Sequence, residues 1–138
     1  MKEQAILRVV AKLLLPYILL YAFYVQWHGD FGPGGGFQAG VIFAAGVVLY
    51  TLIFGLEAAE RAISPSKARA GVAFGLLLYA GVGLFGLVRG APFLDYDALG
   101  SHGQHWGILL VEAGVGITVS SVMVTVFYAF TELVRDPE

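Results

Sequence analysis

Cysteine is absent from the 138 residues, which excludes disulfides, thiolate metal sites and thiol chemistry. Charge is scarce as well. Asp, Glu, Lys and Arg make up 13% of the chain, and the formal net charge is −2. Such a balance gives no footing for nucleic acid. Nor is there a polar stretch long enough for a separate soluble domain. What is present is apolar: 58% of residues are hydrophobic and the mean hydropathy is +0.78, well above an ordinary soluble domain.

Four runs of about 20 residues can each cross a hydrocarbon core ~30 Å thick. They extend from Ile6 to Trp27, Phe37 to Leu56, Arg69 to Val88 and Trp106 to Phe130. The expectation is an all-α integral membrane protein of four transmembrane helices, residues 1–138 forming one membrane domain. Lys2 and Arg8 ahead of the first run resemble a signal peptide, but the run is too long and no small-residue cleavage site follows, so it reads as an uncleaved span. No internal repeat is visible.

Basic residues orient the chain. Lys2, Arg8 and Lys12 lie at one end, Arg61, Lys67 and Arg69 around the middle loop, and Arg135 in the tail, while the two opposite loops hold only Arg89. The positive-inside bias places both termini in the cytoplasm. Trp27 and Trp106 then sit as outer interfacial anchors. Small residues at every fourth position, Gly36, Gly40 and Ala44, Gly71 and Gly75, and Gly114 with Thr118, mark faces where helices approach closely, within this chain or against other subunits.

Ionisable residues inside the spans are few. Lys12 lies about one turn into the first span, beside Pro16, and reads either as a snorkelling residue or as part of a proton or cation path. Glu112 lies six residues beyond Trp106, about 9 Å along a helix. That is deep for a short carboxylate, and it is the best candidate for taking up and releasing a proton, with a structural hydrogen bond as the alternative. Gly116 and Ser120 follow on its face. His102 and His105, with Asp95 and Asp97 upstream, could in principle bind a divalent metal, but nothing fixes a third ligand. A solvated outer loop is the better reading of them.

The densest signal is HGDFGPGGGFQAG, from His28 to Gly40. It joins two spans through a glycine-rich turn, and irregular backbone near bilayer depth must be buried in protein or line a wet cavity. Pro33 suits a turn or a first helical position, and Gly34, Gly35 and Gly36 open dihedrals closed to other residues. A simple reversal needs fewer glycines. Nucleotide binding is rejected, because no strand precedes the turn and no Lys-Ser/Thr follows it.

Together, Leu14, Leu15, Pro16, His28, Gly29 and the PGGGFQ run of Pro33, Gly34, Gly35, Gly36, Phe37 and Gln38 resemble the B subunit of multisubunit Na⁺/H⁺ antiporters of the Mrp (Mnh) type. Gly103, Gln104, His105 and Gly107 fit that pattern loosely. The resemblance implies a secondary transporter in a prokaryotic cell membrane, not an enzyme, built with other membrane subunits and exchanging Na⁺ or another monovalent cation for H⁺. It implies no nucleotide or redox cofactor. His28, Asp30 and Gln38 would contribute to an external mouth and Glu112 to a relay. A scaffold that only sets the angle between spans one and two, or a stand-alone homo-oligomeric transporter, are the other readings. Phe37 is expected to anchor against a neighbouring helix.

Overall fold

The computed structural model describes residues 2–29, 32–100 and 102–135. Among the described residues five α-helices occur: α1 (Lys2–Trp27), α2 (Gly36–Phe54), α3 (Leu56–Ala62), α4 (Pro65–Val88) and α5 (Gly103–Arg135), with a 3₁₀ turn at Tyr96–Leu99 before α5. Four of them, all but α3, are long and apolar enough to cross a membrane. The expected spans fall on these helices, with three differences. Span two stops at Phe54 rather than Leu56, because Gly55 takes φ 93° and breaks the helix. The middle loop is itself partly helical, as α3. Span four is longer than its apolar stretch, running from Gly103 to Arg135.

The helices lie in the spatial order α1, α2, α5, α4. Close approach of α2 and α5 is made by glycines, as the four-residue spacing predicts. A Cβ on Gly40 would lie 2.7 Å from the Gly116 carbonyl oxygen and 2.9 Å from Val119 Cβ. On the other flank Gly71 packs on Ser121, and Gly75 on Gly114 and Thr118. Gly36 and Gly40 pair in ascending order with Glu112 and Gly116, so α2 and α5 run parallel, whereas α4 runs antiparallel to α5. The start of α1 and the end of α5 therefore lie on one side. Two threonines of α5 bond along their own helix: Thr118 donates to Gly114 O and Thr125 to Ser121 O, both at 2.8 Å.

Helix α1 continues through Pro16 without interruption. The entry to α4 is set by Ser64, whose Oγ accepts from the Lys67 N–H at 3.4 Å, with Pro65 at the first helical position. At this end Ala44, Val47, Ala59, Ala68, Val124 and Tyr128 form the buried cluster. Tyr128 donates its hydroxyl to Ile63 O at 3.1 Å, holding the α3–α4 connection onto α5.

At the opposite end, residues 89–103 do more than cross solvent. Phe93 packs on Gly83, and Tyr96 packs on Gly103 and Gly107. Arg89 and Asp97 nevertheless stay exposed, and Asp95 is half-buried.

Candidate functional site

The site is assembled where the end of α1, the start of α2 and the first third of α5 meet. Helix α1 ends at Trp27, and the chain folds straight back on it. Val25 O accepts from both His28 N–H at 3.3 Å and Gly35 N–H at 3.2 Å. One carbonyl freed at the helix end thus ties down both ends of the turn. Gly34 lies over the same oxygen, with a Cβ there only 2.9 Å from it. Gly35 has φ 102°, a conformation that L side chains rarely adopt, and its carbonyl accepts from Ala39 N–H to start α2.

Three glycines of the turn, Gly29, Gly35 and Gly36, face Glu112. A Cβ on Gly29 would overlap both carboxylate oxygens, and one on Gly35 would lie 2.8 Å from Oε1. A Cβ on Gly36 would overlap the Glu112 carbonyl oxygen. The glycines are therefore the surface on which a half-buried carboxylate rests. From the other side come Tyr79 of α4, whose Cβ is 3.3 Å from a Cβ built on Gly114, and Tyr96. Burial pushes the Tyr96 hydroxyl above the usual phenol range, and Tyr79 and then Glu112 add to the rise. A glycine-walled acid with the Tyr96 phenol near it is a compact polar site at the end of an apolar bundle.

Other expected site residues are distributed unevenly. His28 is exposed and stacks on the Tyr24 ring at 5.2 Å. Pro33 lies exposed within the turn and not at the first helical position of α2, which belongs to Gly36. Asp30 lies outside the described residues. Gln38 is exposed, and so is Phe37, at 61%. Phe37 therefore anchors no helix of this chain; it points away from the bundle. Lys12 is not brought to the site. It lies about 22 Å before Trp27 along α1, exposed, with its Nζ 5.8 Å from the centre of the Phe54 ring.

The Asp95–His105 group is held by local bonds. Asp95 Oδ1 accepts from Asp97 N–H, and Asp97 Oδ1 accepts from Gln104 Nε2, both at 3.1 Å. His105 meets the Trp106 ring edge-on at 5.8 Å. No cluster of three or more metal-ligating side chains occurs among the described residues.

Two features were missed from sequence. Gln26 lies beside Gly116, its Oε1 2.7 Å from a Cβ built there. A glutamine inside an apolar span was the available signal, since such residues face protein. Tyr79 and Tyr96 carried no comparable signal, because tyrosine is common at membrane interfaces.

Residues 6–125 match the family model described as "Domain related to MnhB subunit of Na+/H+ antiporter". Two proteins named "Putative antiporter subunit mnhB2" are similar along almost their whole length. One, from Staphylococcus aureus strain MRSA252, is 32% identical, and one from strain Newman is 34% identical; each alignment covers 95% of this chain and 97% of the relative. With its four apolar helices it is a multi-pass protein of the prokaryotic plasma membrane. The chain belongs to the MnhB family of Na⁺/H⁺ antiporter subunits.

Proposed function

We propose that the chain works in a multisubunit antiporter coupling Na⁺ efflux to H⁺ uptake, in sodium and pH homeostasis, and that it helps form the ion path at Glu112. The observation that carries this reading is the seat of the Glu112 carboxylate on Gly29 and Gly35. An ionisable side chain kept at membrane depth is costly, and three glycines are packed around this one. Secondary transporters need several groups that two cations occupy alternately, often where helices break. This chain supplies one acid and one such break. Other subunits complete the site, and the lipid bilayer, Na⁺ and H⁺ are its further partners.

Exposure of Phe37 and Gln38 directly after the turn favours a second role, as a docking point for a neighbouring subunit. The two roles separate in everted vesicles carrying the whole gene cluster. Phe37→Ala, Gln38→Ala and Asp30→Asn are each assayed for antiport and for complex abundance on native gels. Antiport should fall in at least one variant while abundance holds. Parallel losses would leave only the scaffold reading, and antiport from this gene expressed alone would replace both with a stand-alone transporter.

The charge pattern adds an orientation. A reporter fused at Glu138 should be active only as a cytoplasmic reporter, and activity on the far side would overturn the proposed topology.

A further inference from the structure

Helix α1 is the least enclosed of the four spanning helices. Only 11% of its apolar stretch is buried within the chain, against 17–28% for the others. Its exposed side is not uniformly apolar. Leu14, Tyr17, Tyr21, Tyr24 and His28 are all exposed and follow one another at spacings of three, four, three and four. That repeat keeps a single seam against a second helix crossing at about 20°. Along it the Tyr21 and Tyr24 rings stack with centres 6.2 Å apart, and Tyr24 stacks in turn on His28.

Depth makes the tyrosines informative. Arg8 and Trp27 are about 28 Å apart along α1, close to the ~30 Å of a hydrocarbon core. Tyr17 therefore lies near the middle of the core, about 14 Å from Arg8 and 15 Å from Trp27. Tyr21 lies about 9 Å from Trp27, and side chains on a helix lean towards its N-terminus, which carries both hydroxyls away from the Trp27 end. Tyrosine suits a membrane interface because its hydroxyl meets water there. At mid-depth it meets none. Among the described residues, the hydroxyls of Tyr17, Tyr21 and Tyr24 have no hydrogen bond within the chain, unlike that of Tyr128. Lipid tails offer no acceptor, and a hydroxyl held away from water without one is unfavourable. A surface that faces only lipid gains nothing from these hydroxyls over phenylalanine; a surface that faces another helix gains hydrogen bonds.

We propose that the seam of Leu14, Tyr17, Tyr21 and Tyr24 docks a transmembrane helix of another antiporter subunit, whose oxygen atoms accept hydrogen bonds from the Tyr17 and Tyr21 hydroxyls. The proposal rests on the chain's place among several subunits, as its family has it, and not on Glu112 carrying ions. The occupant is a helix because the seam runs straight for about 21 Å from Leu14 to His28, and it carries acceptors because the seam presents unbonded donors.

Two measurements on the intact complex test this. p-Benzoylphenylalanine is placed at Tyr17 and, separately, at Tyr21, in cells expressing the whole gene cluster with each subunit differently tagged. After illumination of the membranes, both positions should give adducts with one and the same other subunit. Adducts only with lipid, with a second copy of this chain, or with different subunits at the two positions would overturn the proposal. Tyr17→Phe and Tyr21→Phe remove the hydroxyl and keep the ring. Each should lower by about threefold the fraction of the chain retained in the complex after mild detergent, the worth of one interhelical hydrogen bond in a membrane. On a surface that faces lipid, the same substitutions remove an unbonded hydroxyl and leave retention equal or higher. That result for either variant would overturn the proposal whatever the adducts show.

Discussion

Gly36→Ala should reduce the assembled complex severalfold on native gels, while Gly81→Ala leaves it unchanged. Both are helical glycines, so the intrinsic helix preference favours alanine equally. They differ in what the added carbon meets. At Gly81 nothing lies within 4 Å. At Gly36 the carbon would overlap the Glu112 carbonyl oxygen, with the carbonyl carbon at 2.8 Å and Cα at 3.0 Å. All three are backbone atoms, so no side chain can rotate away, and α2 must separate from α5. Overpacking of this kind costs about 1–3 kcal/mol, and 1–2 kcal/mol changes cellular abundance several-fold. Gly35→Ala should fall between the two, since its strain at φ 102° is local and its neighbour is the mobile Oε1 of Glu112. Equal abundance of Gly36→Ala and Gly81→Ala would show that the helices do not meet there as described.

How much of this was legible beforehand depends on range along the chain. Four apolar runs and their interrupting polar segments are local properties, and they located the spanning helices to within a few residues. The small-residue stripes were legible too, because four-residue spacing determines a helix face without knowledge of its partner. Gly55 was not. It sits inside an apolar stretch, and nothing local distinguishes a glycine that breaks a helix from Gly46, which packs within one against Ile18 and Leu19. Which helix Phe37 would anchor against was not legible for a related reason. An aromatic residue at a helix start says that an apolar surface is near, but not whether that surface belongs to this chain.

The glycine turn and Glu112 were each singled out, yet their contact could not be read. More than seventy positions separate them, and the pairing depends on α2 and α5 running parallel in a register fixed by Gly40 against Gly116. One residue of slip would rotate Glu112 about 100° around α5 and away from the turn. Three glycines after a proline looked excessive for a reversal. Their number follows from separate demands: Gly34 clears Val25 O, Gly35 takes the left-handed backbone and clears Oε1, and Gly36 admits the α5 backbone.

Glu112→Gln tests what that seat is for. Glutamine has nearly the shape of glutamate, so it should rest on Gly29 and Gly35 without new overlap, and the complex should assemble in wild-type amounts. What it loses is charge and the ability to gain or release a proton. If Glu112 carries protons or cations, antiport in everted vesicles should fall by roughly tenfold or more, equivalent to about 1.4 kcal/mol of barrier per factor of ten. The activity that remains should have a flattened or displaced pH profile, because one titrating group has left the path. Glu112→Asp is the companion variant: it keeps the charge, withdraws the carboxylate from the glycine wall by one methylene, and should retain more activity than the glutamine. Wild-type rates and an unaltered pH profile in Glu112→Gln would take the residue out of the ion path. The glycine wall would then serve packing alone, with α2 and α5 brought together around a carboxylate that only fastens the turn.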